Sequence, residues 1–237
     1  LRHSSAASDV YKRQVLAASE VALALSIEAA HASASPFDER IHSVRPHKGQ
    51  LKTASRIRHL LNESPNMKSH ADCGKVQDAY SFRCSPQVMG AVREVLNDLN
   101  DTLSVELNSV TDNPLIFVSD KGVDVVSGGN FHGEILGIRA DSTHLAIHEL
   151  ASISERRIAK LLDPETTGLP AFLAQDPGLT SGLMILQYSA AAAISEIRAT
   201  LGPATATNIV VSGQQEDQVS MGATACWPVS YTHLTLP

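Results

Sequence analysis

The first sustained pattern covers 15–32, where Leu16, Leu23, Leu25 and Ile27 stand among alanines, and it predicts a buried helix. Pro36 and Asp38 punctuate a turn, and Pro46 opens a second helical stretch. That stretch carries Leu51, Ala54, Ile57, Leu60 and Leu61 at helical spacing. Residues 62–80 are polar and aperiodic, broken by Pro65 and Gly74, and predict a loop. A structureless segment of that length is uncommon inside a domain and often functional.

Pro86 stands where a helix starts, and Val88, Val92, Val95, Leu96, Leu99, Leu103 and Leu107 follow at three- and four-residue steps. Asp112-Asn113-Pro114 ends it with turn chemistry. Apolar runs at 115–118 and 123–126 flank Asp120-Lys121-Gly122 and predict a β-hairpin. After the joint Gly128-Gly129-Asn130, residues 131–162 form one long periodic stretch. A Gly- and Pro-rich loop over 168–182 leads into an apolar helix over 182–201, with Thr180 or Ser181 as its cap and Pro203 closing it. A helix apolar on most faces is buried within its own fold or by other subunits. Stretches beyond about 25 residues suggest a bundle. The expected fold is mainly α, a long-helix bundle with a short β-hairpin near 115–126.

Composition sharpens this picture. Aromatic residues are 4% of the 237, with many alanines, which favours packed helices over a β-sandwich. A formal charge of -6 argues against nucleic acid or an anionic membrane as partner. No apolar run reaches the roughly 18 residues of a membrane span. Cys73, Cys84 and Cys226 are an odd, scattered set, which fits a reducing, cytoplasmic setting. The ends have a different origin. Asp-Val-Tyr-Lys-Arg-Gln at 9–14 and Val-Ser-Tyr-Thr-His-Leu at 229–234 can be encoded by one DNA tag read on opposite strands. It resembles the transposon-end tag of sequencing libraries. The expectation is therefore that 1–14 and 229–237 are tag-derived and 15–228 is one natural helical segment of a longer protein.

Three stretches hold candidate chemistry. Val-Gln-Asp-Ala-Tyr-Ser-Phe-Arg-Cys at 76–84 gathers an amide (Gln77), a phenol (Tyr80) and a guanidinium (Arg83). Arg83 can pair in bidentate fashion with a carboxylate, and Tyr80 can transfer a proton. By composition alone the stretch is equally a loop leading into a helix with ordinary surface pairs. Ser-Gly-Gly-Asn-Phe-His-Gly-Glu at 127–134 allows close backbone approach, or is simply a helix start capped by Asn130. The third, 213–221, places Glu216 and Asp217 in a polar loop before a further helix, where acidic residues also suit the helix dipole. His144 and His148 stand one turn apart, as zinc ligands can, but the Glu of a His-Glu-x-x-His motif is missing and no metal is expected. Dinucleotide, Walker and Gly-x-Ser-x-Gly motifs are absent from the sequence.

Taken in order, seven blocks resemble the aromatic amino acid ammonia-lyase family, its histidine-specific members above all. They are Phe-Asp-Glu-Arg-Ile-His-Ser-Val-Arg-Pro-His-Lys-Gly-Gln at 37–50, Lys-Val-Gln-Asp-Ala-Tyr-Ser-Phe-Arg-Cys-Ser-Pro-Gln-Val at 75–88, and Asn-Ser-Val-Thr-Asp-Asn-Pro at 108–114. Ser-Gly-Gly-Asn-Phe-His-Gly at 127–133, Ser-Glu-Arg-Arg-Ile at 154–158, Gly-Leu-Pro-Ala-Phe-Leu at 168–173, and Gln-Glu-Asp-Gln-Val-Ser-Met-Gly at 215–222 complete the series. The ordered set is far more specific than any one block.

The resemblance implies elimination of ammonia from L-histidine to give urocanate. It also implies a methylidene-imidazolone electrophile, formed from an Ala-Ser-Gly triplet that does not occur in this sequence. By motif position, Arg83 would bind the substrate carboxylate and Gln77 would hydrogen-bond near it. Tyr80 would assist proton transfer or steady the intermediate. Phe131 would pack on the substrate, and Glu216 would face the imidazole or act as an acid–base group. Family members are homotetramers whose sites draw on several subunits. Gln218 stands where the family usually has His, Gln214 where it has Asn, and Glu196-Ile197-Arg198 where it has Glu-Asn-Lys. These departures bear on substrate more than on fold. A phenylalanine or tyrosine ammonia-lyase or an aminomutase is the nearest alternative, and Glu216 favours histidine over it. A non-catalytic helical oligomerisation module is the alternative from another class.

Overall fold

The computed structural model describes residues 2–70, 77–207, 209–210 and 216–219. The chain is mainly α, as expected. It opens with α1 (Arg2–Ala29), which extends the predicted helix through the 1–14 segment; residues 229–237 lie outside the described residues. A 3-10 turn (Ser35–Phe37) and the short α2 (Glu39–Ser43) follow. Asp38 caps α2, its carboxylate accepting from Arg40 N at 2.9 Å. Next comes α3 (Lys48–Leu60), which starts two residues after Pro46.

The predicted loop over 62–80 is partly helical. Ser64 caps a short α4 (Pro65–Ser69), and α5 (Tyr80–Arg83) closes the segment. Neither helix is long enough for a 3.6-residue hydrophobic period to show. The long helices are α6 (Ser85–Glu106) and α7 (Glu134–Leu161), joined by an antiparallel hairpin of β1 (Leu115–Ser119) and β2 (Gly122–Val126). A single-turn α8 (Pro164–Thr167), a 3-10 turn (Ala171–Leu173) and α9 (Met184–Ala199) complete the main elements. Leu183 caps α9 through its backbone alone, so neither Thr180 nor Ser181 takes that role.

Packing centres on α6, which lies against both α3 and α7, while α1 crosses all three. Leu23 and Ile27 of α1, Ile57 of α3, Met89, Val92 and Leu96 of α6, and Leu150 of α7 form one core with Phe37 and Phe82. Two predicted core positions are not core: Leu25 is 62% exposed and Leu60 is also exposed. Two of the expectations for α9 meet different ends. Ile194 and Ile197 are buried, but Leu183, Ile185, Leu186 and Tyr188 are exposed, so the helix is not buried within its own chain. No helix among the described residues is long and apolar enough to cross a membrane.

Candidate active site

Helix α5 is a single turn, yet it carries two of the five predicted site residues and adjoins a third. Tyr80 is 70% exposed, and the Arg83 guanidinium lies over its ring with Cζ 4.5 Å from the centroid. Arg83 Nε donates to the Asp78 carbonyl at 3.0 Å. This contact uses the inner edge of the guanidinium. Its two terminal nitrogens have no hydrogen-bond partner among the described residues and stand ready for a planar anion. Gln77 is exposed beside them.

Asp78 ties this group to the rest of the fold. Its Oδ2 accepts from Ser33 N at 2.7 Å, in the connection that follows α1. Asp78 stands within the 75–88 block, where nothing in the sequence marks it for a role. Two open cavities meet at Gln77 and Asp78. One, of about 460 Å³, is lined by Ser33, Ser35, Pro36, Arg83 and Gln87 with them. The other, of about 330 Å³, is lined by Phe82, Lys160, Asp163 and Thr166 with them. The 37–50 and 75–88 blocks therefore border the same space, since Ile41 also lines the first cavity.

Phe131 lies elsewhere, half-exposed in the turn before α7. That turn is shaped by the 108–114 block. Asn113 Oδ1 accepts from Gly128 N at 2.8 Å and from Ser127 Oγ at 3.1 Å. Asn130 does not cap α7. Gly133 is the cap residue, without a side-chain bond, and Asn130 Nδ2 donates instead to Val110 O at 3.4 Å. Glu216 is exposed in the segment 216–219, which is not helical. Gln214, and Gln215 and residues 220–222 of the block, lie outside the described residues. Neither Phe131 nor Glu216 lines either cavity at Arg83. Within one chain Gln77 and Arg83 line one cavity and Tyr80 stacks on Arg83, while Phe131 and Glu216 line neither cavity.

The histidine pair on α7 is engaged within the fold. His144 Nε2 stands 3.3 Å from Thr200 Oγ1 of the α9 terminus, and His148 Nδ1 stands 3.1 Å from Glu149 Oε1. No group of three or more His, Cys, Asp or Glu side chains among the described residues is arranged to hold a metal ion.

Comparison with known proteins supplies an independent line. The sequence model described as aromatic amino acid lyase matches residues 5–229. Histidine ammonia-lyase of Alkaliphilus oremlandii is 46% identical over 87% of this chain and 40% of its own length. That of Burkholderia vietnamiensis is 47% identical over 93% of this chain and 42% of its own. Among solved structures, histidine ammonia-lyase from Trypanosoma cruzi superimposes with a TM-score of 0.83 at 45% identity, covering 95% of this chain and 41% of that one. Tyrosine aminomutase from Streptomyces globisporus gives 0.84 at 34% identity, over 94% of this chain and 45% of that one. The chain thus spans about four-tenths of the length of the curated relatives it matches.

Proposed function

The chain belongs to the aromatic amino acid lyase family, and on that premise we propose that it is part of a lyase that eliminates ammonia from L-histidine. The Cα–N bond breaks, a β-proton is lost, and urocanate and ammonia leave. One observation carries this reading. Arg83 is held by Nε to the Asp78 carbonyl and stacked on Tyr80, and it lines an open cavity with its two terminal nitrogens unpaired among the described residues. That is the arrangement a carboxylate-bearing substrate needs.

The remaining roles are those the family resemblance implies by motif position, and chemistry and exposure are compatible with them. Gln77, exposed at the wall shared by the two cavities, offers an amide to the bound carboxylate. Tyr80 presents its phenol to accept or return a proton at Oη. Glu216 supplies a carboxylate for the imidazole, a ring that changes charge near neutral pH. Phe131 gives the substrate ring an apolar face. A guanidinium and an amide lining one cavity, with a phenol stacked on the guanidinium, are a donor set that fits a site beside an electrophile. The methylidene-imidazolone group would supply the electron pull that lets ammonia leave a weak carbon acid. Its Ala-Ser-Gly source lies outside this sequence. No metal is needed for this chemistry.

Phe131 and Glu216 line neither cavity at Arg83 within one chain, which fits a site completed by neighbouring subunits of a cytoplasmic homotetramer. The test uses the longer protein that carries this chain. It is expected to form urocanate from L-histidine, and the 237-residue chain alone is expected to form none. Glu216→Gln is expected to lower turnover roughly 10²–10⁴-fold, the range of acid–base groups, and Arg83→Ala to lower kcat/KM by about as much, chiefly through KM. Cinnamate or coumarate as the product, with no urocanate, would replace histidine by phenylalanine or tyrosine. Activity within about threefold of the parent in both variants would remove the assigned roles.

A further inference from the structure

Arg157 of α7 is 3% exposed, among the most buried charged side chains described. Its Nη2 donates to Ser154 Oγ at 2.9 Å, one turn back on the same helix. Its Nη1 crosses to α5 and meets the Ser81 carbonyl oxygen at 3.4 Å. No carboxylate meets it among the described residues. The adjacent Glu155 turns its carboxylate to Arg156 and to Gln187 Nε2. Burial alone pushes the Arg157 guanidinium down to about 10, so it keeps its charge at neutral pH.

A buried cation without a counter-ion is costly and needs a reason. The reason is at Ser81. That residue lies between Tyr80 and Phe82, and its carbonyl accepts from Ser85 Oγ at 2.8 Å as well as from Arg157. A carbonyl has two acceptor positions, and here both are filled. The turn is too short to hold itself, because a helix of four residues lacks the cooperativity that makes helices stable. Besides Phe82, which is buried in the core, two polar contacts hold it. Asp78 fastens its beginning to Ser33, and Arg157 fastens its middle to α7.

We propose that Arg157 is a positioning residue of the Arg83 site, its buried guanidinium pinning the Ser81 carbonyl so that Arg83 stays in the cavity wall, stacked on Tyr80. This assignment rests on the site reading above, but its first test does not. Hydrogen exchange on the 237-residue chain reads the α5 turn directly, through the amides of Phe82, Arg83 and Cys84, which bond to Ala79 and Tyr80 carbonyls. In Arg157→Gln those amides are expected to exchange about tenfold faster, while α1 and α3 amides keep their rates. Arg157→Lys keeps the charge but has one ammonium for two acceptors, and it is expected to fall between parent and Gln variant. Unchanged exchange at α5 overturns the proposal. So does equal acceleration in α1, α3 and α5, or failure of both variants to fold, because either makes Arg157 a residue of global stability. In the longer protein, Arg157→Lys is expected to raise KM for the amino acid about tenfold and to hold kcat within about threefold, since Arg83 is the carboxylate contact. A loss of kcat with unchanged KM overturns the link to Arg83. Absence of any lyase activity in the parent protein would sink the functional reading and leave the exchange result standing.

Discussion

His42 is fully buried, with both ring nitrogens engaged. Nε2 stands 3.0 Å from the Pro36 carbonyl, which can only accept, so Nε2 carries the proton. Nδ1 then accepts from Gln50 Nε2 at 3.0 Å. The ring thereby braces the Pro36 side of the cavity that Arg83 faces. Burial lowers the His42 pKa from its ordinary value, Arg58 lowers it further, and the Pro36 carbonyl and Asp38 oppose the shift. A lowered folded value means that the folded chain binds fewer protons than the unfolded chain. Stability is therefore full above the unfolded value of about 6.5 and is lost as pH falls below it toward the folded value. Thermal unfolding between pH 7.5 and 5.5 is expected to show a falling Tm in the parent and a shallower fall in His42→Asn. Equal slopes would exclude this role. The sequence showed His42 and Gln50 in one block, but nothing in their spacing showed that they touch.

At the level of elements, α3 and α6 cross with their backbones in near contact. A Cβ added to Gly90 would stand 2.5 Å from Gln50 N, and one added to Gly49 would stand 2.1 Å from Gly90 O. Backbone cannot yield as a flexible side chain can, so the two helices would have to separate. Gly90→Ala is expected to cost about 1–3 kcal/mol, the range of overpacked cores, despite the better helix propensity of alanine. A lower urea midpoint with an unchanged slope is the expected measurement, and a raised midpoint would contradict the close crossing. The same interface holds a buried carboxylate. Glu20 of α1 lies between Arg93 of α6 and Arg56 of α3. Periodicity located these three helices well, because long amphipathic stretches repeat a face many times. It missed α4 and α5, which are too short to repeat anything, and α5 carries the chemistry.

At the scale of the whole molecule, the uncovered apolar surface is concentrated. One face of the hairpin presents Ile116, Val118, Val123 and Val125, all exposed, and α9 presents Ile185, Leu186 and Tyr188. Patches of this kind mark surfaces that are covered in an assembly, and the proposed occupant is a second copy of the chain. Light scattering at micromolar concentration is expected to give a mass above that of the monomer. Ile185→Glu combined with Leu186→Glu is expected to lower it. A monomeric parent would contradict assembly through α9.

The sequence by itself determined the mainly α class, the hairpin, the order of the long helices and the seven ordered blocks that carry the family resemblance. These are properties of local spacing and residue type, which a chain displays whether or not it is folded. Tertiary structure decided what those residues do to one another. It brought Asp78 to Ser33, 45 positions away, and Arg157 to Ser81, 76 positions away. It also set Arg83 in the wall of a cavity and left part of α9 uncovered. Burial, hydrogen-bond partners and the orientation of a side chain depend on neighbours distant in sequence, and only the packed chain supplies them.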